Sequence, residues 1–446
     1  MLFLYISLFI FLAFVGFQTL YILIPLFKNE KKNRLPSAVK HRFSVLVPAY
    51  NEEKVIGHCV FGFRQLNYEH AELIIINDGS TDNTMDYLRV LLDLEAVSQP
   101  FSQKLPHEII RGYYRSSKFS NVYVIDKYNG GKADSLNAGI NFSQHDLVVT
   151  LDADSILAPD SLMEMNENFQ DEKVIACGGN VLITQGFSGG SLRELRPTFN
   201  INGVIRFQFL QYLTAFYLHK RAQAALGAIT VIAGAFGAFR REVLFQIGGF
   251  RKTIGEDMDI TLKLHKRIKE NNQNERIAFE PHAICYTECP GTLKDMFKQR
   301  VRWQKAFIDC LFYYKDCYFR KFTARFSIFF LIDQFIIGTL NAFPVVIAPF
   351  VLLFYKSHFI LLVLLGLGAV FLFTYQSLTT IVVSSMHGVV FRKRDIVKIL
   401  AFLPFEIFIF RMINLSFVVY GTLSYFGKPK TWDKMERTGV VSWKEV

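Results

Sequence analysis

Cysteine is scarce, six residues in 446, and Cys59, Cys177, Cys285, Cys289, Cys310 and Cys317 form no paired Cys-x-x-Cys elements. That spacing argues against a structural zinc module. All six fall in the part of the chain read below as cytoplasmic, where disulfides are not expected, so they are assigned to packing. The sequence also lacks a Walker-type phosphate loop, a DNA-recognition helix, a ribonucleoprotein motif, a repeat of fixed period and a low-complexity tract. Acidic residues are the minority, 39 against 50 Lys and Arg, for a formal net charge of +11. This surplus does not mark a nucleic-acid binder, because it gathers beside apolar runs at Lys28 to Arg34, Arg320 to Arg325 and Arg392 to Arg394. Anionic membrane lipids are the simpler partner for charge placed there. An apolar fraction of 51%, with 45 Phe, excludes a disordered chain and speaks against a wholly soluble one; a charged fraction of 20% excludes membrane from end to end.

Charge is absent altogether from Leu2 to Phe27. At about 1.5 Å per residue a helix of that length covers a hydrocarbon core of about 30 Å. It has neither the basic start nor the small-residue cleavage site of a signal peptide, so an uncleaved anchor is expected. Lys28, Lys31, Lys32 and Arg34 follow, and the positive-inside rule puts them in the cytoplasm with the N-terminus outside. From about Arg34 to Tyr318 no apolar run reaches spanning length, as in a soluble region with a large core. Apolar runs return at Phe326 to Tyr355, Phe359 to Val383 and Ile396 to Phe426. The last contains Pro404, Glu406 and Arg411, so its first half reads as interfacial and its second half as spanning. If all three cross, the tail from Lys428 lies outside, against its own basic character, and the number of crossings stays open. Asp333, Glu406 and Arg411 either line a polar conduit through the bundle or snorkel to its interface.

In the soluble region, Phe43 to Pro48, Glu72 to Asn77, Asn121 to Ile125 and Asp146 to Leu151 read as buried strands. Helices are expected over Asn51 to Leu66, after Asp82 and over Lys132 to Asn141. Near-continuous apolar strands alternating with helices imply an α/β layer with a parallel sheet covered on both faces. Ligands of such sheets bind beyond the carboxyl ends of the strands. Four polar clusters follow those ends: Pro48 to Glu52, Asn77 to Asp82, Asn129 to Lys132 and Asp152 to Ser155. They offer an aromatic ring, carboxylates, a Lys at a glycine-loosened helix start, and paired carboxylates of the kind Mg2+ or Mn2+ prefers. In outline this is a nucleotide-diphosphate site. Asp78 is equally the closing residue of a turn and Lys132 equally a solvated helix start; Asp152 and Asp154 are more specific, since two carboxylates so close repel unless a cation or donors compensate.

Together with Gly255-Glu-Asp257 and Gln299-Arg-Val-Arg-Trp303, these clusters resemble the processive family-two inverting glycosyltransferases. That family contains the membrane synthases of cellulose, chitin, hyaluronan and poly-N-acetylglucosamine. The order of anchor, soluble domain and C-terminal bundle matches as well. The resemblance implies a GT-A (Rossmann-like) α/β domain that transfers sugar from a UDP-sugar donor to a growing polysaccharide and exports the polymer. It divides the chain into an anchor (1–27), a cytoplasmic GT-A domain (34–290), interfacial helices (291–325), a transmembrane bundle (326–427) and a basic tail (428–446), in the plasma membrane. By position, Tyr50 and Glu52 border the uridine, Asp78 bonds uracil or ribose, and Lys132 lies near the diphosphate. Asp152 and Asp154 form the Asp-x-Asp pair, with Asp154 the direct ligand of Mg2+ or Mn2+. Asp257 is the general base, Trp303 stacks on the acceptor sugar, and Glu256, Gln299 and Arg302 hold acceptor and diphosphate.

The short anchor and modest bundle resemble the poly-β-1,6-N-acetylglucosamine synthases more than the cellulose synthases. N-acetylglucosamine is therefore the expected sugar, with hyaluronan, chitin or another β-glycan, or a lipid-linked sugar made in a single addition, as the alternatives. Growing polymer, membrane lipids and a small membrane or envelope export protein are the expected partners. Val231 to Arg241 resembles an acceptor-side loop, bordered by Phe279 to Ala283 and Thr287 to Pro290, while His282 is read as structural. Many relatives have Gly a few residues after Arg-Trp, where this chain has Gln304-Lys-Ala306. Phe101 to Ser120 reads as an insertion whose Arg111, Arg115 and Lys118 form a solvated basic loop.

Overall fold

A computed structural model of the chain describes residues 2–27, 39–98, 104–272, 274–352 and 359–427. The basic cluster Lys28, Lys31, Lys32 and Arg34, the tail 428–446 and the first residues of the expected insertion lie outside the described residues. The β-branched runs form strands β1 (Phe43–Ala49) and β2 (Ala71–Asp78). β3 (Leu94–Ala96), β4 (Ile110–Ser116), β5 (Val122–Lys127), β6 (Leu147–Leu151), β7 (Ser155–Leu157) and β8 (Val174–Ile183) follow. After a separate two-stranded ladder of β9 (Phe187–Ser188) and β10 (Arg196–Pro197) come β11 (Phe236–Arg240) and β12 (Arg276–Thr287). The main sheet runs β3-β4-β5-β2-β1-β6-β11-β8-β12-β7.

β5, β2, β1 and β6 are mutually parallel. Strand order departs in opposite directions from β1, toward β2 and toward β6, so the switch point lies between β1 and β6, where an open α/β sheet leaves a crevice. The sheet as a whole is mixed, since β11 runs antiparallel to both β6 and β8. Helices cover both faces. Val45, Val47, Leu73 and Ile75 point into one apolar layer, and Leu46, Ile74 and Ile76 into the other. A third apolar cluster joins the sheet domain to the membrane-side helices through Phe199, Phe207 and Phe209 against Val383, Phe391 and Phe402.

Two local expectations are corrected. The helix expected from Asn51 begins only at Ile56, because Asn51 adopts a left-handed φ of 57° and its amide and side chain are bonded to Ser80 and Thr81. The expected solvated loop contains a strand, β4, second from the sheet edge and antiparallel to β3 and β5. Its basic residues are tied down: Arg111 pairs with Asp126 at 2.7 Å, Arg115 donates to the Ser120 carbonyl, and Lys118 caps the Val90 and Leu91 carbonyls.

Among the described residues, three helices are long and apolar enough to cross a membrane: Leu8–Phe27, Ala324–Ile347 and Val363–Met386. The third C-terminal run forms a helical stretch from Lys393 to Tyr425 that includes a π-helical turn, Glu406–Phe410. Asp333 is buried against the Tyr21 hydroxyl and Gln334, inside the bundle rather than snorkelling.

Candidate active site

The site begins with a buried scaffold at the ends of β2 and β5. Lys127, with no exposed side-chain surface, pairs with Asp78 at 2.5 Å and Asp134 at 2.6 Å. The Asp78 carboxylate also accepts the amide N–H of Gly130 at 2.9 Å and of Gly131 at 2.8 Å. Gly131 holds φ at +93°, a region that costs a side-chain-bearing residue steric strain. Asp78 therefore shapes the turn that launches the helix Lys132–Phe142 and aims Lys132 across the crevice. Its Nζ lies 2.6 Å from Asp152 and 3.1 Å from Glu256. Burial opposes the ammonium charge, but Asp152, Glu256 and Asp257 together hold Lys132 above the usual lysine range.

Asp152 and Asp154 follow β6. Asp154 is buried, and its Oδ1 lies 3.4 Å from the hydroxyls of Ser155 and Thr287. Asp257 sits in the first turn of the helix Glu256–Glu270, where Oδ1 accepts the Met258 N–H at 2.8 Å. Burial, then Glu256, raises the Asp257 pKa; Lys132, the Met258 N–H and Arg302 oppose that shift. The helix Leu293–Tyr313 presents Gln299, Arg302 and Trp303, spaced three and four residues apart and so on one face. Gln299 is buried, and its Oε1 has no hydrogen-bond partner among the described residues. Trp303 is 38% exposed, with the Arg300 guanidinium 4.4 Å from its ring centre. Ala306 packs against Gly255, at which a Cβ would stand 2.5 Å from the Ala306 Cβ.

One cavity of about 520 Å³ gathers Lys132, Asp152, Asp154, Glu256, Asp257, Gln299, Arg302 and Trp303. It extends past Gly234 and Glu288 to Gln376, Thr380, Glu406 and Arg411, so the polar pair of the last apolar run borders the same space. Tyr50, Glu52 and Asp78 are not among its lining residues; they occupy the neighbouring strand ends, where the Glu52 amide donates to the Thr84 hydroxyl. Sequence reading overlooked the contribution of the segment Gly203–Ala225. From it Tyr212 and Lys220 line the cavity, Gln211 holds Arg300 at 3.0 Å, and Lys220 donates to the Val231 carbonyl. Burial lowers the Lys220 pKa to about 7, against the pull of Asp257. The signal was the basic triplet His219-Lys-Arg221 directly after the apolar run Leu213 to Leu218.

Asp152 and Asp154 share the cavity with the carboxylates of Glu256, Asp257 and Glu288. That donor set fits a hard divalent cation.

A family model described as glycosyl transferase family 2 matches residues 44–248, and one described as glycosyl transferase family group 2 matches 147–383. A poly-beta-1,6-N-acetyl-D-glucosamine synthase of Staphylococcus aureus (strain COL) is 31% identical over 305 residues, 68% of this chain and 63% of that relative. A protein of the same description from Staphylococcus epidermidis is 31% identical over 265 residues, 59% of this chain and 54% of the relative. The chain thus spans less than two thirds of the length of these relatives. Among solved structures, a mannosyltransferase from Pyrobaculum calidifontis in complex with GDP-mannose and Mn2+ superposes with a TM-score of 0.53. It is 14% identical and covers 94% of this chain and 99% of its own. That likeness shows a shared fold, the GT-A arrangement.

Proposed function

Because the chain belongs to the family 2 glycosyltransferases, we propose that it is a processive membrane synthase that adds N-acetylglucosamine from UDP-N-acetylglucosamine to a growing β-linked polysaccharide and exports it. The observation that carries this reading is the single cavity running from Asp152 and Asp257, past Gln299 and Trp303, to Glu406 and Arg411 in the membrane-side bundle. A donor site, an acceptor platform and an exit share one space. The apolar helices support a plasma-membrane location, and the basic residues that flank the apolar runs support a sheet domain on the cytoplasmic side. The staphylococcal relatives are named for a poly-N-acetylglucosamine product, which supports the choice of sugar.

In this mechanism the acceptor hydroxyl attacks the anomeric carbon while Asp257 takes its proton, and the bond from that carbon to the UDP oxygen breaks. A single displacement inverts the configuration, so an α-linked donor gives a β-link. Asp152 and Asp154 would hold Mg2+ or Mn2+, which supplies charge stabilisation for the departing diphosphate. Lys132 and Arg302 add fixed positive charge on the same side. The Gln299 Oε1 is available to a sugar hydroxyl, and the Trp303 ring offers an apolar face to the acceptor.

Purified protein supplied with UDP-N-acetylglucosamine alone, and then with UDP-glucuronate added, tests the proposal by product mass. A polymer from the first donor alone is expected. Polymer only with both donors makes the chain a hyaluronan-type synthase, a single added sugar makes it a lipid-linked sugar transferase, and no turnover under either condition overturns the synthase reading.

A further inference from the structure

Away from the cavity, two helices and a strand bring four ligand-type side chains together. Glu164 of the helix Ser161–Phe169 and Glu280 and His282 of β12 each present one ligand atom, all within 4.8 Å of one another. His282 Nδ1 stands 3.0 Å from Glu280 Oε1, and its Nε2 stands 3.0 Å from Nδ1 of His387, the residue after the helix Phe359–Met386. The chain leaves the β8 ladder between Glu280 and Ile284, and this excursion carries His282 to the membrane-side turn. Glu280 is 3% exposed, and its other oxygen accepts from Asn168 at 2.8 Å. None of these residues lines the catalytic cavity.

We propose that this cluster binds a divalent transition-metal ion of the Zn2+ type, held by Glu164, Glu280 and Nδ1 of His282, with His387 as an outer partner. A donor set of one imidazole nitrogen and two carboxylates suits Zn2+ better than Mg2+ or Ca2+, which favour oxygen alone. Ligand atoms about 2.0–2.2 Å from a tetrahedral ion lie about 3.3 Å from one another. The Glu280–His282 separation of 3.0 Å is close to that edge, so closure requires mainly a movement of Glu164. Binding at Nδ1 leaves the proton on Nε2, which then donates to His387 Nδ1; Asn168 fixes the Glu280 carboxylate from the other side. Such outer contacts set ring tautomer and ligand orientation. The bound ion fixes the His282 ring, which through His387 links β12 of the main sheet to the turn after a membrane-side helix. This inference does not depend on the proposed sugar chemistry. The competing arrangement is a metal-free hydrogen-bond chain, with His387 donating to His282 and His282 to Glu280.

The test uses full-length protein in detergent carrying Asp154→Asn, so that the Asp-x-Asp pair contributes little binding. After chelator treatment, exposure to Zn2+ and desalting, elemental analysis should find one Zn2+ per chain, lost in His282→Gln and in Glu280→Gln. Co2+ in its place should give a visible absorption band that disappears with His282→Gln. His387→Ala should weaken Zn2+ affinity by about 10–100-fold without abolishing binding. If Glu280→Gln fails to fold, the more exposed His282 and His387 carry the comparison. No retained Zn2+ in the folded parent, or Zn2+ content and affinity unchanged by His282→Gln and His387→Ala, overturns the proposal in favour of the hydrogen-bond chain.

Discussion

Lys132 and Asp152 meet at 2.6 Å across the crevice between a helix start and a strand end. The same ammonium stands 3.1 Å from Glu256, so one cation compensates carboxylates brought by two separate elements. Without it those acids would repel one another in a partly buried space. Lys132→Met should therefore lower kcat/KM for the UDP-sugar by about 10²–10³-fold, the usual loss when one fixed positive group facing a leaving group is removed. Lys132→Arg should recover part of it. Initial rates at varied donor concentration check both; an unchanged kcat/KM in the Met variant removes Lys132 from the donor site.

The pH dependence of turnover follows from Asp257. In the proposed role of proton acceptor it works only when ionised, and burial followed by Glu256 raises its pKa above the ordinary carboxylate range. Activity should fall as pH drops through that raised value. Glu256→Gln removes a cause of the rise, so the acid limb of the kcat profile should move to lower pH. Lys132→Met removes an opposing charge, so the limb should move to higher pH. Asp257→Asn should lose about 10²–10⁴-fold in turnover while still binding UDP. Acid limbs that stay in place in both neighbours would assign the acceptor role elsewhere.

Gly234 and Gly255 separate catalytic from structural crowding. A Cβ at Gly234 would stand 2.9 Å from Lys132 Nζ and 3.4 Å from the Asp257 Cβ. The first neighbour is the end of a flexible side chain, so Gly234→Ala should fold, but it narrows the space where donor and acceptor meet. Turnover should fall by about 10²-fold, as for other small misplacements of reacting groups, with the melting temperature nearly unchanged. A Cβ at Gly255 would lie 2.5 Å from the Ala306 Cβ and 3.4 Å from its Cα, so Gly255→Ala should lower the melting temperature by pushing two helices apart. Thermal melts beside rate measurements distinguish the two.

The four parallel strands were legible because each is a short apolar run ended by a polar cluster, the signature of strands buried on both faces. β4 was not, because Gly112 and two arginines break its alternation, and it is held by pairing with β3 and β5 rather than by its own burial. Within the site, Lys132, Asp152 and Asp154 were singled out by their place just after strands or at a helix start, and Asp257 only by the resemblance of Gly255-Glu-Asp257 to a family motif; the structure brings all four to one cavity. Lys220 and Gln211 lie mid-sequence in the apolar segment Gly203–Ala225, and only tertiary packing reveals that this segment forms a wall of the cavity. Asp78 shows the opposite limit: its motif was visible, but the sequence could not disclose that Lys127 and two glycine amides share its carboxylate.

The same contrast between motif and packing applies in the membrane-side bundle. Glu406 Oε1 accepts from Arg411 Nε at 2.8 Å, with the carboxylate side chain only 3% exposed. Its Oε2 has no hydrogen-bond partner among the described residues, and both side chains border the cavity. Arg411→Ala strands a buried carboxylate and should cost about 3–5 kcal/mol, read as a fall in melting temperature and yield. Adding Glu406→Gln to Arg411→Ala should recover most of that loss, because the uncompensated charge is then gone. The stable double variant next discriminates the role of the pair. If the cavity carries polymer outward past these residues, this protein should still add sugar to short acceptors but make shorter chains. Full-length polymer from the double variant would make the ion pair a structural element of the bundle alone.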